Sequence, residues 1–126
     1  MIVGLGIDLI EIERVRRSYE RFGDRFLRRL FTEGEVAYCL RKRDPVPSLA
    51  ARFAAKEAAM KALGTGASRG VFFRQLEVVR RRGEAPLVLF HGGARRRAEL
   101  LGVTASALTL THDAGVSAAV VILEKE

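Results

Sequence analysis

Residues 52–66, RFAAKEAAMKALGTG, constrain the fold of this chain more than any other stretch. Alanine is the strongest helix former, and Gly64-Thr65-Gly66 supplies a stop with glycine at the C-cap. Extended upstream to residue 49, the helix carries two apolar stripes, Leu49, Phe53, Met60 and Leu63 on one side and Ala51, Ala55, Ala58 and Ala62 on another. A helix apolar on two faces has to be covered on both, so other elements must pack around it. Ser48 is the expected N-cap. Lys56, Glu57 and Lys61 interrupt the pattern. Glu57 and Lys61, four apart, are neighbours on the strip between the stripes, and Lys56 lies close to the large apolar stripe. Charges so placed need partners.

The flanking pattern supplies the covering elements. Residues 2–9 read as a strand with Val3, Leu5, Ile7 and Leu9 on one side and Gly4, Gly6 and Asp8 on the other. Ile12, Val15, Tyr19, Phe22 and Phe26 mark the buried stripe of a helix that breaks near Gly23, with Arg14, Arg17, Arg21, Arg25 and Arg28 on a solvent-facing side. Thr32 and Glu35 form a capping box for a short helix over 33–41, and RDPVPS reads as a loop. FRQLEVV and PLVLF are two strands around the turn RRRGEA, GGARRRAELLG is a helix ended by Gly102, and TASALTLTH with VSAAVVILE is a hairpin around residues 113–115. The order implies α+β, a mostly antiparallel sheet packed with helices. At 126 residues one domain, 1–126, is expected.

Twenty-two basic against fifteen acidic side chains give a net charge of +7, a field that attracts anions without choosing among them. On charge alone, a module gripping nucleic-acid phosphates is an alternative to an enzyme. The phenylalanines fall in buried stripes rather than in an aromatic-interleaved RNA motif, so no nucleic-acid partner is expected. Cys39 is the only cysteine, which excludes an internal disulfide and fits a reducing cytoplasm. The N-terminus lacks a basic signal-peptide region and no apolar run is long enough to span a bilayer, so no membrane partner is expected either.

Taken singly, the polar candidates have ordinary explanations: an intrahelical Glu57–Lys61 pair worth about 0.2–0.5 kcal/mol, a snorkelling Lys56, Asp8 as a strand-end cap, His112 as a core histidine. Taken together they point to phosphate chemistry. Two carboxylates, one at a strand end and one on a buried helix, can share a magnesium ion completed by water and phosphate oxygens. Lys56 and Lys61 can neutralise phosphoryl oxygens, and the glycine loop allows close backbone approach. GTG follows a helix whereas a P-loop precedes one, so an ordinary nucleotide triphosphatase is disfavoured.

GIDLIEIERV and RFAAKEAAMKALGTG, in that order and at that spacing, closely resemble the holo-[acyl-carrier-protein] synthases, the short group of the phosphopantetheinyl transferases. The resemblance extends through LEVV, GEAP and LTLTHDAGVSAAVVILE. It implies the phosphopantetheinyl transferase-like fold and a magnesium-dependent transfer of the phosphopantetheine arm from coenzyme A to a serine of apo acyl carrier protein, in support of fatty acid biosynthesis. Asp8 and Glu57 match the family's metal-binding acids, and Lys61 its phosphate-contacting lysine, assigned to charge neutralisation and proton donation. Asp8, Glu57 and Lys61 are thus the implied catalytic group. Whether Glu57 or a neighbouring water takes the serine proton stays open. Lys56, Lys61, Gly64, Thr65, Gly66 and His112 match positions around coenzyme A. Arg14, Arg17 and Arg21 would meet the acidic carrier protein, with Arg14 the best supported by motif. The resemblance further implies a homotrimer with the active site between subunits. Ala59-Met60 and Val116-Ser117 depart from the family's common pattern.

Overall fold

The computed structural model describes all 126 residues. The alanine-rich segment forms α4 (Val46–Leu63), and the other elements are arranged around it. It begins earlier than Ser48: the Asp44 carboxylate accepts the Val46 N–H at 3.1 Å, and Pro47 stands in the first turn, where its missing N–H costs nothing. Ser48 is therefore inside the helix rather than its N-cap. Gly64 ends it at φ 75°, donating its N–H to the carbonyls of Lys61 and Met60.

α4 is packed along its length, but the clusters divide it end to end rather than stripe by stripe, Met60 and Leu63 falling with Ala55, Ala58 and Ala62 and Leu49 with the other. One cluster joins Ala54, Ala58, Met60 and Leu63 to strand residues such as Leu76, Val121 and Leu123. A second joins Val46, Leu49 and Ala50 to Val15, Leu27 and Phe31, from the helices α1 (Ile12–Phe22) and α2 (Asp24–Leu30) and the residue after them. Gly23 separates α1 from α2 at φ 52°, and the Thr32–Glu35 capping box opens α3 (Glu33–Leu40).

All strand pairing is antiparallel. β1 (Ile2–Glu11), β4 (Ala105–Asp113) and β5 (Val116–Glu124) form a sheet in the order β1-β5-β4. The β4–β5 hairpin turns at Ala114 and Gly115, both at positive φ as its two-residue turn demands. β2 (Leu76–Val79) and β3 (Leu87–Phe90) pair separately. The first three residues of the expected strand FRQLEVV form a 3-10 turn instead, Phe73–Gln75, and α5 (Gly92–Leu100) follows β3.

The inner face of β1 is the glycine face. A Cβ at Gly6 would lie 1.8 Å from the Ala58 carbonyl oxygen, and one at Gly4 2.2 Å from that of Ala62. Glycines on the strand and alanines on the helix let the two backbones touch. The larger residues accordingly point outward, Leu5 63%, Ile7 59% and Leu9 66% exposed. Leu5 pairs with Ile122 and Ile7 with Val120, so this apolar face continues onto β5. No helix is long and apolar enough to cross a membrane.

Candidate active site

Close packing of β1 on α4 brings three charges together. Asp8 follows Gly4 and Gly6 on the inner face of β1 and meets the last turns of α4, where Glu57 and Lys61 share one edge. Lys61 does not form the intrahelical pair with Glu57. Its ammonium reaches across to the strand, donating to the Asp8 carboxylate at 3.1 Å and to the Ile7 carbonyl at 2.9 Å. The Asp8 side chain is 15% exposed.

Glu57 keeps its carboxylate beside this pair. Burial first, then the Asp8 charge, raises its pKa above the ordinary value, with Lys61 pulling the other way. Two carboxylates crowded at one edge, with only one ammonium against them, favour an added cation. No three His, Cys, Asp or Glu side chains converge in a metal-binding group, so the chain supplies at most these two acids. That donor set fits magnesium, which takes one or two protein carboxylates and completes its shell with water and phosphate oxygens.

The glycine loop continues directly from Lys61. Gly64 and Gly66 take positive φ, Thr65 is buried and donates its hydroxyl to the Gly66 carbonyl, and Arg97 donates Nε to the Leu63 carbonyl at the helix end. These contacts fix the loop one turn beyond the ammonium.

Lys56 is elsewhere. Its ammonium is wholly buried and lies 2.6 Å from the Glu35 carboxylate, 3.0 Å from the Phe73 carbonyl and 2.6 Å from the Leu76 carbonyl. An ammonium has three N–H donors, and all three are engaged. Burial lowers its pKa, while Glu35 opposes the shift. Glu35 in turn accepts the Thr32 and Val78 N–H groups, so the pair ties α3, α4, the 3-10 turn and β2 together. The expected contact of Lys56 with coenzyme A is therefore corrected to a place in the core.

His112 is an exposed residue of β4, not a core histidine. It lines a hollow with Tyr38, Lys42, Arg52, Arg80 and Ser117. β5 separates β4 from β1, and α4 packs mainly over β1 and β5. Within one chain the Asp8–Glu57–Lys61 group and the His112 hollow thus lie on the two edge strands and are not brought together. Sequence reasoning missed Arg52. It is 5% exposed, its guanidinium carbon stands 4.1 Å from the Tyr38 ring centroid, and its Nε has no hydrogen-bond partner. Arg41 and Lys42 approach the same ring at 5.4 and 5.0 Å. The available signal was an arginine beginning the alanine-rich stretch, nine residues past the RKR run.

On α1, Arg14, Arg17 and Arg21 are exposed as expected. Arg16 is different, paired with Glu13 and Asp44 of its own chain. Beside these arginines, Phe22, Phe26, Phe53 and Phe73 line an apolar groove with Arg25 and Arg29.

Residues 4–120 match the model of the 4'-phosphopantetheinyl transferase superfamily, a span that includes Asp8, Glu57, Lys61 and His112. The chain belongs to this superfamily. Within it, the chain is 52% identical to a holo-[acyl-carrier-protein] synthase of Solibacter usitatus over 98% of its own length and 99% of the relative's. A holo-[acyl-carrier-protein] synthase of Koribacter versatilis is 48% identical over the same shares. Among solved structures, the holo-[acyl-carrier-protein] synthase of Neisseria meningitidis aligns at TM-score 0.90 and 32% identity, covering 99% of this chain and 100% of that one. The Helicobacter pylori enzyme in complex with coenzyme A aligns at 0.83 and 29% identity, covering 95% and 99%. The α+β phosphopantetheinyl transferase fold expected from the sequence is the fold of this superfamily member.

Proposed function

We propose that this chain transfers the 4'-phosphopantetheine arm of coenzyme A to a serine of apo acyl carrier protein, releasing adenosine 3',5'-bisphosphate. The observation that carries the mechanism is the meeting of Asp8, Glu57 and Lys61 between β1 and the end of α4. The serine oxygen attacks the β-phosphorus of the pyrophosphate, and the bond from that phosphorus to the departing bisphosphate breaks. Lys61 neutralises charge on the leaving group and donates a proton to it. Glu57, beside Asp8 and Lys61 at the edge of the site, is placed to take the serine proton directly or through a water. Asp8 and Glu57 would hold magnesium, which supplies charge neutralisation on the pyrophosphate. Gly64, Thr65 and Gly66 offer backbone to the pantetheine phosphate.

His112, Arg52 and Lys42 form the seat for the nucleotide of coenzyme A. Because that seat and the acid pair lie on opposite edges of the sheet, the reading joins them across two copies of the chain. The outward face of Leu5, Ile7 and Leu9 supplies the apolar surface for a homotrimer. Arg14, Arg17 and Arg21 receive the acidic carrier protein, with the adjoining phenylalanine groove for its apolar side chains. We read residues 1–126 as one transferase domain, working in the cytoplasm in support of fatty acid synthesis.

Intact mass spectrometry of apo acyl carrier protein, incubated with the enzyme, coenzyme A and magnesium, tests the activity. A gain of one phosphopantetheine that chelation abolishes is expected. No gain on several carrier proteins would overturn the proposal, and a gain unaffected by chelation would remove the metal from it.

A further inference from the structure

Ser117 lines the hollow beside His112 and has no part in the account above. It lies on the inner face of β5, 1% exposed, directly opposite His112 in the β4–β5 ladder. The hydroxyls of Thr32, Thr65 and Ser68 each find an acceptor in the chain, whereas that of Ser117 has none. What little exposure Ser117 keeps opens on the hollow it lines, so its hydroxyl is free to donate to a group bound there. Arg52, in the wall of the same hollow, has its Nε buried without a hydrogen-bond partner. A serine hydroxyl open to the cavity, with Lys42, Arg52 and Arg80 in its wall, suits a ligand rich in anionic or carbonyl-like acceptors.

We propose that Ser117 is a specificity-determining residue for coenzyme A, its hydroxyl donating to an acceptor of the adenosine 3',5'-bisphosphate portion. The inference rests on the reading of this hollow as the nucleotide seat. Ser117→Ala removes one oxygen from a tightly packed position and adds none, so the fold tolerates it. Steady-state kinetics of the variant, with calorimetric binding of adenosine 3',5'-bisphosphate to the intact enzyme, tests the assignment. The KM for coenzyme A and the Kd for the bisphosphate are expected to rise together, by about three- to tenfold, with kcat and the KM for carrier protein unchanged. Unchanged KM and Kd would overturn the proposal. A raised KM with unchanged Kd would place the contact on the pantetheine half and overturn it as well. Failure of the wild-type enzyme to transfer would instead refute the activity, and the bisphosphate titration would still read Ser117.

Discussion

At the scale of single residues, the three lysine and glutamate positions of the alanine-rich helix separate into two roles. Lys56 is architectural: Lys56→Met leaves the Glu35 carboxylate buried without its cation and is expected to cost about 3–5 kcal/mol in denaturant unfolding. A loss below about 1 kcal/mol would contradict the role given to that pair. Glu57, proposed as functional, is held at a cost to the fold. Its carboxyl pKa is raised, so the folded chain binds that proton more tightly than the unfolded chain. The stability this group contributes is present below its ordinary pKa and is lost as pH rises through the raised folded value. Glu57→Gln should therefore melt at a higher temperature than wild type at neutral pH, the gain shrinking toward about pH 4, while transfer falls at least about a hundredfold. A gain that grew with acid would contradict the burial argument. Spacing placed Glu57 and Lys61 together on the helix, whereas Asp8, on a separate strand, was joined to them only by the chemistry of two carboxylates sharing a cation and by the family resemblance. It misplaced Lys56 because proximity to an apolar stripe does not say whether a lysine snorkels or finds acceptors, and those acceptors come from residues 35, 73 and 76.

At the scale of elements, the decisive contact is β1 on α4. Gly6→Ala puts a Cβ against the Ala58 carbonyl, so strand and helix must separate; a loss of about 1–3 kcal/mol or more is expected by denaturant unfolding. Gly66→Ala, which meets no atom and strains only a positive φ, should lose about 1 kcal/mol. Equal losses would mean that β1 and α4 are not packed backbone to backbone. The helices were legible from local signals: Thr32 and Glu35 formed their capping box, Gly23 broke the first helix, and Gly64 ended α4. The start of α4 was not, because Asp44 competes with Ser48 for the cap and proline is tolerated in a first turn. Nor did alternation alone tell which side of β1 faces inward. Large apolar residues ordinarily mark the core side, but here a helix lined with alanine selects the glycines.

At the scale of the whole molecule, one chain leaves two things unmatched, an apolar sheet face and the Asp8–Glu57–Lys61 group, proposed as catalytic, separated from the hollow proposed as its nucleotide seat. The face predicts assembly: Leu5→Lys together with Ile7→Glu should convert a trimer to monomers in analytical ultracentrifugation, and a wild type that already sediments as a monomer would contradict it. The unpaired arginines of α1 predict that Arg14→Glu raises the KM for carrier protein and weakens its salt dependence, leaving the KM for coenzyme A unchanged. Neither edge-to-edge separation nor assembly can be read from periodicity, since both depend on which strand lies in the middle of the sheet. The most direct measurement is therefore transfer activity of two inactive variants alone and co-expressed, one Asp8→Ala and the other carrying Arg52→Ala with His112→Ala. If the site is built between copies, the mixed assembly contains junctions with an intact acid pair facing an intact nucleotide seat, and activity returns. If each chain carries a complete site, no copy in the mixture is whole; folded, assembled and inactive mixtures would contradict the account.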